Sequence, residues 1–391
     1  MKKKIAILGS TGSIGLTTLD IISRNKKSFQ IELLSTNRNI KKIKSQIKNF
    51  KVKNIIIHDH KIFNKNKYFF KKFNINVYQN FRDFRNKFKK KFDYAMCAIT
   101  GIDGLESTLE IIQSTKRIAI ANKESIICGW NLIKKKLKKY KTKFIPIDSE
   151  HFSIFELIKN DKSENIKKIY ITASGGPFLK IDKSKLSKFI PKNAIKHPTW
   201  KMGKKISIDS STLINKVYEL IEAKKIFDLN YNKFEIIIQP TSYVHGVVLF
   251  NNGISKILSH PTSMKIPIYN SLLFNKKISK ISGNFEIDKM NNLNFQKIDN
   301  KKFPVFNILK KLTNNDSLYE TVLVTANDVL VELFLKNKIK IFDIYKILNQ
   351  ILNLNEYKRY KNIKPKNLNQ INELSKNVRL KTLTLSVQSR V

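Results

Sequence analysis

The chain has 391 residues, and its 75 Lys and Arg against 30 Asp and Glu give a formal net charge of +45. A hydrophobic fraction of 41% excludes an intrinsically disordered chain, and no apolar run reaches the roughly 18 residues that a membrane helix needs. The two cysteines, Cys97 and Cys128, exclude a disulfide framework and a zinc knuckle of paired cysteines. The cysteine usage leads us to expect a reduced, cytoplasmic protein. At about 150 residues per domain, the length predicts two or three domains.

The excess of basic side chains leaves two interpretations open. Strongly basic proteins often bind nucleic acid, but only 8 of the basic residues are Arg, the side chain best suited to bidentate contacts with bases and phosphates. The lysines are spread along the chain among many Asn, Ile and Phe residues, which is typical of a coding sequence rich in A and T. We therefore expect solvated lysine surfaces that attract phosphorylated small molecules, and no specific nucleic acid partner.

Short apolar runs alternate with helical patterns in the first 150 residues, which is typical of βαβ units and a mostly parallel sheet. The strands predicted there are Ile5–Leu8, Ile31–Leu34, Asn54–Ile57, Asp93–Ile99, Ile118–Ala121 and Phe144–Ile147. The strands predicted further along are Lys168–Thr172, Glu235–Gln239 and Gly246–Phe250. The predicted later helices are Ser211–Ile226, Leu318–Leu335 and Ile341–Leu352. The stretch 61–91, dense in Lys and Phe, has no assignable pattern.

A glycine-rich turn follows the first strand and opens the first helix. It reads GSTGSIG over Gly9–Gly15. Glycine lets the backbone approach a pyrophosphate closely, and a helix N-terminus offers unpaired N–H groups and a partial positive charge. The pattern predicts dinucleotide binding, with a merely tight turn as the alternative.

The residues after the second strand favour NADPH over NADH. An NAD enzyme usually has Asp or Glu there to hold the ribose 2′-hydroxyl. This chain instead has Arg38, flanked by Asn37 and Asn39. A guanidinium suits a 2′-phosphate, and an ordinary loop arginine is the alternative.

Charged residues follow two later strands, at the sheet edge where α/β proteins bind ligands. Asn122, Lys123 and Glu124 follow one strand, where Lys123 could contact either the cofactor or the substrate, with a helix N-terminus that has Glu124 as its first-turn acid as the alternative. Asp148 and Glu150 follow the next strand, and side chains two apart in an extended chain point the same way. Two such carboxylates suit Mg²⁺ or Mn²⁺, with a solvated loop end as the alternative.

Two loop motifs in the central region predict a binding site and its cover. Ser174-Gly175-Gly176 follows a strand and forms either an anion-binding nest or a plain turn. The loop from His197 to Gly203 carries Trp200, one of two tryptophans, and suggests a lid or a loop fixed to the surface by that tryptophan.

A polar helix is predicted after the second loop, with Ser210 or Ser211 as its N-cap. Asn215 and Glu219 are four residues apart and share a helix face, and Lys216 is adjacent. These side chains suit a metal and a phosphate together, with a salt-bridged surface as the alternative.

Six motifs in one order resemble the 1-deoxy-D-xylulose 5-phosphate reductoisomerase family over nearly the whole chain. They are GSTGSIG, ANKES, PIDSEH, SGGPF, HPTWKMGKKISIDSSTLINK and the later AND at 326–328. The resemblance implies a homodimeric enzyme of isoprenoid precursor synthesis that rearranges 1-deoxy-D-xylulose 5-phosphate and reduces it with NADPH to 2-C-methyl-D-erythritol 4-phosphate. The implied metal is Mg²⁺ or Mn²⁺, with Co²⁺ as a further candidate. Another NADP-dependent dehydrogenase of a phosphorylated substrate is the alternative.

The resemblance and the pattern of elements together predict an α/β fold in four segments. We expect a Rossmann-like NADPH-binding domain at 1–149 and a central α+β catalytic domain at 150–285. A polar linker at 286–310 and a C-terminal helical domain at 311–391 follow.

The resemblance also assigns a role to individual residues. The implied cofactor-binding positions are Thr11, Gly12, Ser13, Ile14, Asn37, Arg38, Asn39, Asn122, Glu124 and Gly203. The implied metal ligands are Asp148, Glu150 and Glu219, and the predicted catalytic residues are these three with Lys123 and His197. The implied substrate-binding positions are Lys123, Ser149, Glu150, Ser174, His197, Ser210, Asn215, Lys216 and Glu219. The implied lid residues are Trp200 and Met202.

Three positions depart from the family pattern. Asn37 and Val217 stand where the family has glycine, and Pro261–Lys265 is one residue longer than the family's Pro-Asp-Met-Arg. All three metal carboxylates are retained, which predicts an active enzyme.

Overall fold

Two units make up the fold, which a computed structural model describes over residues 1–182, 189–200, 202–273 and 286–388. The first unit comprises 1–125, 132–148 and the described part of 264–282. The second comprises 126–131, 149–263 and the described part of 283–391. The predicted boundary at residue 285 and residue 201 of the predicted lid lie outside the described residues. The four-segment division stays a prediction.

The strands and helices are numbered in chain order. The strands are β1 (Lys3–Leu8), β2 (Phe29–Thr36), β3 (Asn54–Ile57), β4 (Asn76–Tyr78), β5 (Tyr94–Cys97), β6 (Arg117–Ile120), β7 (Lys143–Pro146), β8 (Ile166–Ala173), β9 (Phe234–Ile238), β10 (Val244–Phe250), β11 (Ser255–Ser259) and β12 (Gln296–Lys297). The helices are α1 (Ser13–Ser23), α2 (Ile40–Phe50), α3 (His60–Lys72), α4 (Phe81–Lys87), α5 (Gly104–Ile111), α6 (Lys123–Tyr140), α7 (Ser149–Ile158), α8 (Pro191–Ala194), α9 (Lys204–Ser211), α10 (Ile214–Phe227), α11 (Lys265–Ser271), α12 (Ile287–Asn291), α13 (Tyr319–Leu335), α14 (Ile341–Asn353), α15 (Asn355–Lys358) and α16 (Leu368–Gln388).

The described part of the first unit is built on a seven-stranded parallel sheet in the order β4-β3-β2-β1-β5-β6-β7. The six strands predicted here are confirmed, with bounds that differ by at most two residues. The stretch 61–91, which had no assignable pattern in the sequence, contains β4, the whole of α4 and all of α3 after His60. The order reverses beside β1, so the turn after β1 lies where doubly wound sheets bind ligands.

A helix distant in sequence completes the core of the first unit. Ile268 and Leu272, in and just after α11, are fully buried in the cluster formed by the sheet and its helices. The Tyr94 hydroxyl lies 2.7 Å from Ser271 Oγ, and Lys265 Nζ lies 2.8 Å from an Asp20 carboxylate oxygen. Burial of these aliphatic side chains supplies the main attraction.

The described part of the second unit contains a five-stranded mixed sheet in the order β11-β10-β8-β9-β12. Strands β8 and β9 are parallel, and the other neighbours are antiparallel. The predictions of β8, β9 and β10 are confirmed, whereas β11 and β12 were not predicted. The segment predicted as a linker carries α12 and β12, and β12 pairs with β9.

The helix predicted at Ser211–Ile226 is α10, which begins three residues later, at Ile214, and the preceding helix α9, which ends at Ser211, was not predicted. The two helices are separated at Leu213, a buried residue with a left-handed φ of 60°. Ser210 and Ser211 are the last residues of α9, so the prediction that one of them caps the second helix is wrong. Burial of the Leu213 side chain outweighs its unfavourable backbone angle.

The C-terminal helices α13 and α14 confirm the predicted helices Leu318–Leu335 and Ile341–Leu352 within one residue. Helix α13 is buried along most of its length and packs against α9, α14 and α16. Among the described residues, no helix is both long enough and apolar enough to cross a membrane.

Candidate active site

The turn after β1 has the geometry of an anion-binding helix start. Gly9 has a φ of 81°, and a Cβ there would lie 2.5 Å from the Ala98 carbonyl oxygen. A Cβ on Gly15 would lie 2.5 Å from the Gly9 carbonyl oxygen, so close packing alone requires both glycines. Gly12 instead is the exposed N-cap of α1, and the first turn of α1 has no acidic side chain. The partial positive charge of this helix end therefore faces accessible space.

The residues predicted to hold the adenosine phosphate lie at the end of β2. Arg38 Nε donates to Asp59 Oδ2 at 2.7 Å, and the Arg38 side chain is 75% exposed. The Ile62 N–H, and then the Arg38 guanidinium, hold the pKa of Asp59 below its usual range. Asn39 caps α2 by accepting from the Lys42 N–H at 3.0 Å. Arg38 is thus oriented by Asp59 and remains accessible to a ligand, as is the exposed Asn37.

Asn122, predicted as a cofactor contact, holds the backbone at the edge of the first sheet. Its Oδ1 accepts from the Ser125 N–H at 2.9 Å, and its Nδ2 donates to the carbonyls of Gly101, at 2.7 Å, and Ile99. Glu124 is buried in the first turn of α6. Asn122 therefore caps α6 and fixes the loop at Ile99–Gly101, and its cofactor contact stays a prediction.

The predicted metal ligands of the second unit surround one ammonium group. Lys216 Nζ donates to Glu150 Oε1 at 2.5 Å and to Glu219 Oε2 at 2.5 Å. Ser149 Oγ donates to the other Glu150 oxygen at 2.5 Å, and Asn215 Nδ2 donates to the other Glu219 oxygen. The Glu219 side chain is only 2% exposed.

Charge balance explains why these groups meet. Burial lowers the pKa of Lys216, but the charges of Glu150 and Glu219 outweigh burial and raise it above the usual range. Two buried carboxylates are costly without a cation between them. The position of the Lys216 ammonium therefore marks a place that favours a cation.

Asp148, the third predicted metal ligand, follows β7 in the first unit. It is the last residue of the first unit before α7, and Lys123 Nζ lies 3.2 Å from its Oδ2. Glu150 follows two residues later, in the first turn of α7. Because consecutive Cα atoms are about 3.8 Å apart, the chain keeps both residues close. The premise of an extended backbone here is wrong, since α7 begins at Ser149.

The Ser174 turn and His197 form a second cluster of donors. Gly175 and Gly176 have left-handed φ values of 83° and 64°. Ser174 Oγ accepts from the Gly176 N–H at 3.2 Å and lies 3.0 Å from His197 Nε2. A Cβ on Gly176 would lie 2.7 Å from the Ser210 carbonyl oxygen, so this glycine allows the turn to contact α9.

The hydrogen bonds of His197 define its tautomer. Its Nδ1 accepts from the backbone N–H groups of Thr199, at 3.2 Å, and Trp200, at 3.0 Å. The proton therefore resides on Nε2, which donates to Ser174 Oγ. Burial, and then the charge of Lys216, lower the pKa of His197 to about 4. His197 is a neutral donor at physiological pH.

The predicted lid contacts the loop between β9 and β10. Thr199 Oγ1 lies 3.1 Å from Ser242 Oγ, and the Trp200 ring lies 6.0 Å from the His245 ring in an edge-on arrangement. Met202 is half-buried, and Gly203 is exposed at the start of α9.

Four further residues of this region were not predicted from the sequence. His151 Nε2 donates to the Glu219 carbonyl at 2.8 Å, and His151 Nδ1 lies 3.9 Å from a Glu222 oxygen. His151 and Glu222 therefore form a second pair of possible ligands beside Glu219. His245 stacks on His260 with ring centroids 3.7 Å apart. The scarcity of histidine, six in the chain, was the available signal.

Comparisons with known proteins agree over the whole chain. Family models match at residues 5–129 (1-deoxy-D-xylulose 5-phosphate reductoisomerase), 144–227 (its C-terminal domain) and 258–381 (DXP reductoisomerase C-terminal domain). The 1-deoxy-D-xylulose 5-phosphate reductoisomerase of Pelagibacter ubique is 55% identical over 98% of this chain and 100% of its own length. That of Wolbachia pipientis subsp. Culex pipiens is 38% identical over 91% of each chain.

Solved structures give the same result. The reductoisomerase from Zymomonas mobilis in complex with NADPH has a TM-score of 0.87 and 30% identity over 99% of both chains. A DOX-P reductoisomerase in complex with NADPH, fosmidomycin and magnesium has a TM-score of 0.90 and 30% identity, covering 99% of this chain and 98% of its own. This chain belongs to the 1-deoxy-D-xylulose 5-phosphate reductoisomerase family.

Proposed function

We propose that this chain converts 1-deoxy-D-xylulose 5-phosphate to 2-C-methyl-D-erythritol 4-phosphate with NADPH and a divalent cation. The observation that carries the proposal is the buried pair Glu150 and Glu219 around one ammonium group, in a chain 55% identical to a reductoisomerase over nearly its full length. The solved relatives with NADPH and with magnesium support the same cofactors.

The residues around the β1 turn fit NADPH. Thr11, Gly12, Ser13 and Ile14 lie at or near the surface at the start of α1, whose partial positive charge favours a pyrophosphate. The exposed guanidinium of Arg38 suits a 2′-phosphate, with Asn37 and Asn39 beside it. When bound, NADPH supplies the two electrons of the reduction. We also assign Asn122, Glu124 and Gly203 to the cofactor site.

The donor set fits a hard divalent cation. Carboxylate oxygens of Asp148, Glu150 and Glu219 would hold Mg²⁺, Mn²⁺ or Co²⁺, since such cations prefer oxygen ligands. The position of the Lys216 ammonium between two of these carboxylates supports a cation there. When bound, the metal supplies Lewis acidity for the substrate's oxygens. Lys123 Nζ lies 3.2 Å from Asp148, and Ser149 Oγ donates to Glu150. Lys123 and Ser149 are proposed to orient the reacting end of the substrate.

A second group of residues is proposed to hold the substrate phosphate. Ser174, His197 and Ser210 lie around the Gly175–Gly176 turn, and Asn215 and Lys216 lie at the start of α10. Neutral His197 already presents its Nε2 proton to Ser174, and the hydroxyls and the ammonium add further donors. Binding energy from a phosphate remote from the reacting carbons can be used to stabilise the transition state.

The lid residues are proposed to exclude water from the reacting substrate. Trp200 and Met202 supply apolar surface between His197 and Gly203, and Thr199 anchors the segment to Ser242. Exclusion of water strengthens each electrostatic contact within the site.

We further propose a homodimer located in the cytoplasm. The homodimer is implied by the family resemblance, and sedimentation equilibrium tests it. The location is supported by the small number of cysteines, since Cys97 and Cys128 are the two in the chain and both are buried.

Product analysis tests the proposed reaction. The purified protein is incubated with ¹³C-labelled 1-deoxy-D-xylulose 5-phosphate, NADPH and Mg²⁺, and the product is identified by NMR. We expect the branched carbon skeleton of 2-C-methyl-D-erythritol 4-phosphate. A reduced product with an unbranched skeleton would favour another NADP-dependent dehydrogenase.

A further inference from the structure

Helix α9 carries Ser210 of the proposed phosphate site, and a buried hydrogen bond fixes it to the C-terminal helix α13. Asn327 Nδ2 donates to Asp209 Oδ1 at 2.8 Å. Asn327 is fully buried and Asp209 is 3% exposed, so solvent cannot replace this contact. A buried carboxylate that loses a donor carries a penalty of about 1–3 kcal/mol, which a displacement of its helix toward another donor would relieve.

A second contact joins the same two helices one residue further along α13. Lys205 Nζ lies 2.9 Å from Asp328 Oδ1 and 3.5 Å from Asp209 Oδ2. Both turns of α9 are therefore held by consecutive residues of α13. We call Lys205, Asp209, Asn327 and Asp328 the α9–α13 contact.

The position of α9 determines what surrounds the Ser174 turn. The Ser210 carbonyl lies so close to Gly176 that a Cβ there would be 2.7 Å from it. Ser211 Oγ donates to the Ala194 carbonyl of α8 at 2.8 Å, and Ser207 Oγ donates to the Gly203 carbonyl at 3.0 Å. A small displacement of α9 thus moves Ser210 and also the two ends of the segment between α8 and α9.

We propose that Asn327 and Asp328 are positioning residues for the substrate phosphate, because through Asp209 and Lys205 they hold Ser210 against the Ser174 turn. This inference rests on the proposed function and assigns a role in substrate binding to a helix that carries none of the proposed ligands. Misplacement of a binding group by about 1 Å is enough to weaken a reaction severely.

The main variant is Asn327→Leu, which keeps a similar volume and removes the donor to Asp209. We expect the KM for 1-deoxy-D-xylulose 5-phosphate to rise about tenfold, as for the loss of a charge-assisted hydrogen bond. The KM for NADPH should rise less, by no more than about threefold, because only Gly203 among the proposed cofactor residues adjoins α9 and the others belong to the first unit. The swap Asp209→Asn with Asn327→Asp retains an amide and a carboxylate at the contact and should restore the substrate KM.

Two further variants keep the test decisive. Asp328→Ala removes the more exposed part of the contact and should raise the substrate KM about threefold even if Asn327→Leu fails to fold. Thr325→Val is the matched control, because Thr325 lies on the same helix but contacts Ser375 of α16 at 3.1 Å. It should lower thermal stability and leave both KM values unchanged.

The outcomes separate this inference from the proposed function. A wild-type protein without turnover contradicts the proposed function itself. With an active wild type, a selective rise in substrate KM that the swap reverses supports the positioning role. An unchanged substrate KM in folded Asn327→Leu or Asp328→Ala, or equal changes in Thr325→Val, overturns it.

Discussion

Glu219→Gln removes one negative charge from the proposed metal site and leaves the side-chain shape unchanged. Glu219 is almost completely buried, and its oxygens accept from Asn215 and from Lys216, the latter at 2.5 Å. Lewis-acid stabilisation of a transition state contributes several kcal/mol, and each 1.4 kcal/mol is a factor of about ten in rate. We therefore expect kcat with Mg²⁺ to fall at least about 10³-fold.

Glu219→Gln should have only small effects on protein stability and on NADPH affinity. Lys216 keeps its 2.5 Å contact with Glu150, so the loss of unfolding free energy should be about 1–3 kcal/mol, less than for an ammonium left without a partner. NADPH affinity should stay near that of the wild type, because Glu219 belongs to the second unit and the β1 turn to the first. Urea denaturation and NADPH fluorescence titration check both expectations.

Glu222→Gln is the matched comparison, because Glu222 belongs with His151 to the second pair of possible ligands and not to the proposed metal site. Glu222 lies three residues further along α10, is equally buried, and contacts His151 instead of Lys216. The assay is NADPH oxidation across a Mg²⁺ titration, and we expect Glu222→Gln to keep kcat within about tenfold of the wild type. If Glu222→Gln lost as much activity as Glu219→Gln, or if Glu219→Gln stayed active, the assignment of the metal site would be refuted.

Three other substitutions test separate parts of the account. Arg38→Ala should raise the KM for NADPH about tenfold while leaving that for NADH unchanged, as steady-state kinetics would show, since only NADPH carries the 2′-phosphate. Burial, and then the charge of Lys216, lower the pKa of His197 from 6.5 to about 4. Between these two pH values His197 is protonated in the unfolded chain and neutral in the folded chain. The unfolding free energy should therefore decrease as pH falls from about 6.5 to 4, and His197→Gln should flatten that decrease in urea titrations. Glu320→Gln should lower the unfolding free energy by about 1–3 kcal/mol in urea titrations, because Lys225 Nζ loses a buried carboxylate at 2.7 Å but keeps Asp316 Oδ1 at 2.5 Å.

The first sheet was predictable because its strands are short apolar runs separated by helical patterns. Asn54–Ile57, for example, is observed with the predicted bounds. β4 was not predictable, because Asn76–Tyr78 is partly exposed and, at three residues, too short to show a clear alternation. β11 was missed although Asn251, Asn252 and Gly253 form the turn before it, and the left-handed φ of Gly253 makes this a hairpin signal.

The candidate site shows where sequence patterns stop being informative. The spacing of Asn215 and Glu219 correctly predicted a shared helix face. It could not predict that Leu213 breaks the preceding helix, because burial within the fold imposes that backbone angle. Likewise, the role of Lys216 between two carboxylates depends on Glu150, which is 66 residues away in sequence. Long-range charge pairing of this kind has no local signature.

The most direct test of the central claim is NADPH oxidation with 1-deoxy-D-xylulose 5-phosphate and Mg²⁺, followed by absorbance and repeated with EDTA. The carboxylates of Asp148, Glu150 and Glu219 predict oxidation that stops in EDTA and returns when Mg²⁺ or Mn²⁺ is added in excess. Oxidation that continues in EDTA would contradict the metal-dependent reaction. A folded protein that binds NADPH but does not oxidise it with this substrate would contradict the proposed activity.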